Sequence, residues 1–481
     1  MVGVSERVGT NGHGAGAAVA DAAAIDDVSP ASQIERDALD HVWIHSSGWS
    51  DLADKGNLRV FERAEGSTLW DVQGRDYFDG ISGLWVVNAG HGRAEIAEAM
   101  ATQARKLAYV SSASFTSAPA ARLADMLAEL TPGDLNRFYF CAGGSEAVET
   151  AMKIAKQVQA MRGFPRRYKV IARRGSYHGM TMGAMSLTAI RNEAYFGPFM
   201  YGVSHVPHPN RYRSDFGVEG EQADIMAARY VEQEIENQGP ETVACVIGEP
   251  ISSAAGVHVP GKVYWQMLRD ICDRHGVLLI CDEVINGFGR TGTMFAIEKY
   301  GIVPDIMTVA KGLSSGYAPI GAAIVRDAIY ETFQEKGEVA LGHLLTFGGH
   351  PVCAAAAVKN LEIFADEGLV AQAAEKGEYL AARLEDLRAH PTVGDVRGVG
   401  LLHATELVRD KATKASFHKD SPFTKRVAQL VMDRGLITRV WNVIHFAPPL
   451  VATHAEIDRM VEIVDESLTI AEGEFAAEIS A

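Results

Sequence analysis

Cysteine is scarce: five thiols (Cys141, Cys245, Cys272, Cys281, Cys353) are scattered through 481 residues, and none is spaced C-x-x-C. An odd, unpaired set argues against a disulfide framework or a zinc site and points to a cytoplasmic protein. Positive charge is also in deficit. Lys and Arg number 45 against 61 Asp and Glu, leaving a net −16. Such a chain has no electrostatic footprint for nucleic acid or an anionic membrane. Long apolar runs are missing too; the longest buried-looking one, Val277 to Cys281, is far too short to span a bilayer. Met1 to Asp21 has no apolar h-region, and Asp21, Asp26 and Asp27 argue against a transit peptide. Residues 1–30 hold few large apolar side chains and are read as a disordered tail. His41 and His45 are helically spaced, but no third ligand is near, so no metal site is expected.

What is present is ordinary for a globular protein: 47% hydrophobic and 22% charged residues. Between Arg59 and Phe78, aromatic and β-branched residues alternate with glycine turns, which predicts a small antiparallel meander. Pro119 to Leu130 reads as a helix with Leu123, Met126, Leu127 and Leu130 on one stripe. Apolar strands are then expected at Arg137–Cys141, Tyr168–Ala172, Val243–Ile247, Val277–Cys281 and Ile306–Ala310, with a helix over Glu146–Ala160. Short apolar strands linked by helices predict an α/β fold with a mostly parallel sheet buried on both faces. Near the end, a helix over Phe423–Arg434 precedes strands at Leu436–Val440 and Val443–Ala447. Thr453 and Glu456 form a capping box that opens a last helix.

Ligands of open α/β sheets bind outside the carboxyl ends of the strands. After Phe140 comes Cys141-Ala-Gly-Gly-Ser145, opening a helix: Gly143, Gly144 and Ser145 suit a phosphate, or simply a turn and an N-cap. Tyr177 and His178 follow the second strand, where they could stack on a flat ring or merely cover the sheet edge. Glu249, Asp282 and Lys311 follow three successive apolar strands. A buried amine sheds its proton easily and suits imine chemistry; the alternative is a structural Asp282–Lys311 ion pair. Gly287-Phe-Gly-Arg-Thr-Gly292 matches G-x-G-x-x-G, the mark of an NAD-dependent dehydrogenase. Residues 282–286 separate it from the strand, so the required strand–turn–helix succession is not expected.

A phosphate cradle, a stacking aromatic, a buried carboxylate and an imine-forming amine are together what pyridoxal phosphate needs. With Gly143-Gly-Ser-Glu-Ala-Val-Glu, Tyr177-His-Gly, Glu249-Pro, Asp282-Glu-Val-Ile-Asn-Gly-Phe-Gly-Arg-Thr-Gly, Ala310-Lys-Gly-Leu and Thr346-Phe-Gly-Gly-His-Pro, the chain resembles the class III pyridoxal-phosphate-dependent aminotransferases of fold type I. It is most similar to their ω-amino acid and amine:pyruvate branch, from about Trp43 to the last helix. The resemblance implies a large cofactor-binding domain over residues 91–345. A small α+β domain would come from 31–90 and 346–481. It implies that Lys311 carries pyridoxal 5′-phosphate as an internal aldimine and that Asp282 holds the pyridinium nitrogen. Tyr177 and Val284 would pack on the two ring faces, Gly144 and Ser145 would bind the phosphate, and Glu249 would line the site. Thr346 would reach the phosphate of the neighbouring subunit in a homodimer. Gly348 stands where relatives often have Ser. Trp85 would shape the amine pocket (its alternative is core packing), and Arg439 would pair with a substrate carboxylate, then swing aside for an uncharged amine (its alternative is a strand-end surface charge). The implied activity is ping-pong transfer of an amino group from an ω-amino acid or primary amine to pyruvate or another 2-oxo acid. An aminomutase or decarboxylase of the same fold is the alternative.

Overall fold

Each of the five apolar runs becomes a strand, and two further strands complete their sheet. The computed structural model describes residues 30–479 other than Lys55, 190–192, Glu338 and Lys419. The tail expected over 1–30 therefore lies, save for Pro30, outside the described residues. The sheet has seven strands. In chain order they are β1 (Leu135–Cys141), β2 (Lys169–Arg173), β3 (Val203–Val206), β4 (Val243–Gly248), β5 (Leu278–Asp282), β6 (Ile306–Val309) and β7 (Gly321–Arg326). Their spatial order is β1-β7-β6-β5-β4-β2-β3. The pairs β2/β3, β2/β4, β4/β5 and β5/β6 are parallel, whereas β7 runs antiparallel to both β1 and β6. The link from Val309 to Gly321 has no room for a crossover helix, so β7 turns back on β6. Because β1 and β6 both oppose β7, the carboxyl ends of β1, β2, β4, β5 and β6 share one edge.

Every residue of β4, β5 and β6 is buried, as expected for a sheet covered on both faces. Helix α1 (Gly144–Met161) covers part of one face. Its predicted inward set, Ala147, Val148, Ala151, Met152, Ala155 and Val158, is buried, and all but Ala147 cluster with Val170, Ala172, Ala244, Cys245 and Ile280. Each such Val or Ile contributes about 1.5–3 kcal/mol of transfer free energy, so register and helix placement are strongly held.

The predicted meander is seen as strands Phe61–Glu65, Thr68–Asp71 and Asp76–Asp79. The chain end adds Leu436–Ile437 parallel to the third of these. A third sheet pairs Val393–Val399, Leu402–Asp410, Ala415–Ser416 and Val443–Phe446. The last helix, His454–Glu474, opens with the expected capping box. The strand expected over Leu436–Val440 stops at Ile437 because the backbone then turns: Val440 bridges Ile444, and Thr438 Oγ1 donates to His445 O over 2.5 Å. This turn carries Arg439 and Trp441.

The described residues form two compact units. One holds those up to Phe61 with Asp71–Gln73, including helix Pro30–His41. The other holds Glu62–Trp70 and everything from Gly74 onward, with the whole seven-stranded sheet. Among the described residues no helix is long and apolar enough to cross a membrane.

Candidate active site

One functional group stands at the end of each converging strand. Beyond β1, Gly143 caps α1 with no side-chain acceptor, so the first amides of the helix keep their hydrogen-bonding capacity. Beyond β2 come Tyr177 and His178, beyond β4 Glu249, at the tip of β5 Asp282, and beyond β6 Lys311. Gly144, Ser145, Tyr177, Glu249, Asp282, Val284 and Lys311 all line a single cavity of about 130 Å³, joined there by His178, Gly179 and Ile285.

Asp282 is fixed from three directions. His178 Nδ1 donates to Oδ2 over 2.7 Å, while Thr308 Oγ1 and the Val284 amide each reach Oδ1 at 3.1 Å. The carboxylate is thus aimed by neighbours on β6 and on the turn after β2. Glu249 accepts from the amides of Tyr177 (3.3 Å) and Ser253 (3.2 Å). Burial raises its pKa, against the pull of His178 and Arg173. Burial also pushes the Lys311 amine down to about 8, although Asp282 and Glu249 draw it upward. An amine brought down to about 8 beside two carboxylates is poised to donate and accept a proton at working pH. Lys311 has φ 44°, a left-handed conformation that a non-glycine residue holds only under tertiary constraint.

Trp85 and Arg439 reach the same place from the two ends of the chain. Trp85 is 3% exposed, and its ring lies 5.5 Å from Lys311 Nζ and 5.7 Å from Arg439 Cζ. Core packing alone does not describe it, because its face is turned to two cations. The segment Ser82–Trp85 that presents it is irregular, with Ser82 and Trp85 both at positive φ. It is tied down by Arg290, whose buried guanidinium donates to Ser82 Oγ and Asn88 Oδ1, each at 2.8 Å, and to Leu401 O and Pro448 O. Thr346 is exposed and lies outside the cavity of its own chain; its carbonyl accepts from Tyr109 Oη at 3.1 Å. Gly348 has a steric reason: a Cβ there would stand 2.6 Å from Phe140 O, so no serine fits.

The sequence reading missed how His178 and Thr308 orient Asp282. The signal for Thr308 was a hydroxyl inside an otherwise apolar strand. It missed Gly179 as well, where a Cβ would stand 2.3 Å from Ser145 Oγ, and the ring pair Trp85–His445, whose centroids are 5.5 Å apart. Arg290 was visible only as part of the G-x-G-x-x-G decoy. That segment runs through consecutive turns with no helix behind the strand, so it cannot cradle a dinucleotide.

Pyridoxal phosphate fits this cavity. Uncapped helix amides beside Ser145 suit its phosphate, and glycine at 179 keeps that corner open. Tyr177 offers a ring face, Asp282 a buried carboxylate, and Lys311 an amine with lowered pKa. His178 Nε2 is buried without a hydrogen-bond partner, a further polar atom held at this edge. A sheet of this topology with these groups at its carboxyl edge defines a fold type I pyridoxal-phosphate-dependent transferase.

Sequence comparison narrows the class. Residues 52–468 match the profile of the class-III aminotransferases. A probable aminotransferase of Mycobacterium tuberculosis is 43% identical over 417 residues, 85% of this chain and 89% of its own. The putrescine–pyruvate aminotransferase of Pseudomonas aeruginosa is 36% identical over 433 residues, 89% of this chain and 94% of its own. The structure of an ω-transaminase from Pseudomonas jessenii in complex with PMP superposes with a TM-score of 0.87 at 34% identity, covering 92% of this chain and 99% of that one. The chain belongs to the class-III aminotransferase family: it is a pyridoxal-phosphate-dependent transaminase.

Proposed function

We propose that this transaminase moves an amino group from an ω-amino acid or other primary amine to pyruvate, using one pocket for both half-reactions. The observation that carries the reading is the grouping of Lys311, Trp85 and Arg439. An amine able to exchange protons faces an aromatic wall and a guanidinium that, among the described residues, has no acidic partner. When bound, pyridoxal phosphate supplies an electron sink that stabilises negative charge on the carbon bearing the transferred nitrogen. Lys311 Nζ takes the proton from that carbon. Asp282, held by His178 and Thr308, keeps a negative charge fixed at the far end of the cavity, and the amides of Gly144 and Ser145 hold the phosphate. Tyr177 and Val284 would pack against the ring, and Glu249 would line the substrate side; all three line the cavity. Arg439 receives the carboxylate of the 2-oxo acid bidentately, and Trp85 packs against an uncharged donor.

The acceptor assignment is supported by the Pseudomonas aeruginosa relative, whose activity is with putrescine and pyruvate. The two-substrate pocket favours transamination over an aminomutase or a decarboxylase. Replacing Lys311 by Ala should leave a protein that binds cofactor but does not turn over. The measurement is an amine and ω-amino acid panel against pyruvate and 2-oxoglutarate; repeated turnover by Lys311→Ala would overturn the proposal.

A homodimer is part of the reading. Thr346 is exposed beside the aromatic residues Tyr109 and Phe347, themselves exposed, which supports its service to the phosphate of a second subunit. The division into a cofactor-binding domain over 91–345 and a small domain from 31–90 and 346–481 is proposed on the placement of β1–β7. Five free thiols support a cytoplasmic location.

A further inference from the structure

We propose that Trp441 is a positioning residue that holds Arg439 ready for a substrate carboxylate, and so sets the balance between carboxylate-bearing and uncharged substrates. This inference rests on the reading of Arg439 given above. The Arg439 guanidinium lies 3.6 Å from the Trp441 ring, well within stacking distance, and 5.7 Å from that of Trp85. Among the described residues no carboxylate pairs with it, which is unusual for a guanidinium largely withdrawn from water. Its environment is instead two indole faces, the Tyr177 hydroxyl and the amine of Lys311. The rings hold the positive charge without neutralising it, because the attraction of a cation to a ring quadrupole leaves the guanidinium edge free to donate. An acidic partner in the same place would compete with the substrate for that edge; an indole does not.

The geometry also explains the turn on which the two residues sit. The backbone leaves its strand at Ile437 and returns at Val443, with Trp441 N donating to Val443 O over 3.1 Å and His445 N donating to Arg439 O over 3.1 Å. These bonds fix Arg439 and Trp441 two residues apart on one tight loop. Trp441 keeps 60% of its surface exposed, so it contributes little to the core, and its large ring needs another reason to be there. It also lines a cavity of about 350 Å³ with His445 and Ala254–Gly256. Trp441 thus stacks on the guanidinium while most of its surface stays open.

The test uses the holoenzyme and four chains: wild type, Trp441→Leu, Trp441→Phe and Arg439→Ala, together with the Trp441→Leu/Arg439→Ala double variant. KM and kcat are measured for pyruvate and for an uncharged aryl amine, with the inhibition constant of propionate as a probe that does not turn over. Trp441→Leu should raise the pyruvate KM and weaken propionate by roughly 2- to 30-fold, the range of a desolvated cation–π contact. The kcat and the amine KM should stay within about twofold, since an uncharged amine offers Arg439 no carboxylate to pair with. Trp441→Phe should recover part of the loss. In the Arg439→Ala background, Trp441→Leu should have no further effect on pyruvate. An unchanged pyruvate KM in Trp441→Leu, or equal shifts for both substrate classes, overturns the inference while leaving the role of Arg439 standing. An unchanged pyruvate KM in Arg439→Ala instead overturns the reading on which it rests.

Discussion

Lys311 shows how burial prepares a single residue for chemistry. Its amine titrates near 8 in the folded chain against 10.5 for the free side chain. Below pH 8 both folded and unfolded chains carry the proton, and the cost of burying the charge is fully present. Between 8 and 10.5 the folded chain has released a proton that the unfolded chain still holds, so stability rises with pH across that window. Relative to Lys311→Met, whose side chain does not titrate, the cofactor-free wild type should gain about 3 kcal/mol as pH increases from 7.5 to 10.5. Urea unfolding of both proteins at several pH values checks this; parallel stability curves would show that the amine is not depressed. The importance of Lys311, Asp282 and Glu249 was legible because charged residues are conspicuous after apolar strands. Thr308 was not, since a threonine in a strand is ordinary, and its bond to Asp282 depends on pairing across to β5.

At the level of elements, the turn after β2 is as constrained as the strands. Gly179 has φ 124°, a region L side chains rarely adopt, and a methyl there would meet Ser145 Oγ at 2.3 Å. Gly179→Ala should therefore distort the corner where the first turn of α1 is proposed to receive the phosphate. Backbone strain of about 1–3 kcal/mol, if borne mainly by the loaded form, weakens cofactor binding by roughly 5- to 150-fold. Titrating cofactor into the purified variant would measure this, with thermal unfolding alongside; normal cofactor affinity would show that the turn moves freely. Most strands were legible from apolar runs between turn residues. β7 was not, because Gly321-Ala-Ala-Ile-Val is small and glycine-led and its pairing is antiparallel. Val393–Val399 was masked by Gly394, Asp395 and Arg397. The loop bearing Arg439 read as strand because Leu-Ile-Thr-Arg-Val is rich in β-branched residues; the bridge from Val440 to Ile444 that ends it is a tertiary event.

For the whole molecule, the proposed sharing of Thr346 makes a prediction about mixtures. Lys311→Ala and Thr346→Ala chains are each defective, Thr346→Ala through loss of a phosphate contact. In a mixed dimer one site has Lys311 and Thr346 both intact and the other has neither. Random reassociation should therefore restore about a quarter of wild-type activity, since half the dimers are mixed and half their sites are complete. Activity that merely averages the two parents would place Thr346 outside its neighbour's site. The net charge of −16 gave no hint of the proposed anion-binding site, in which a helix terminus, Lys311 and Arg439 are brought together only by the fold.

Ser82 Oγ donates to Ala447 O across a separation of 365 residues, and Arg290 ties the same loop to Pro448. During synthesis the segment that presents Trp85 is therefore made early and anchored late. Gly83 N can reach Asp79 at once and Arg290 can reach Ser82 later, but the bonds to Ala447 and Pro448 wait until the ribosome has passed position 448. Ribosomes add roughly 5–20 residues per second, so tens of seconds separate the synthesis of Ser82 from that of its partner Ala447. Completion of the loop that presents Trp85 is thus one of the last native contacts the growing chain can make.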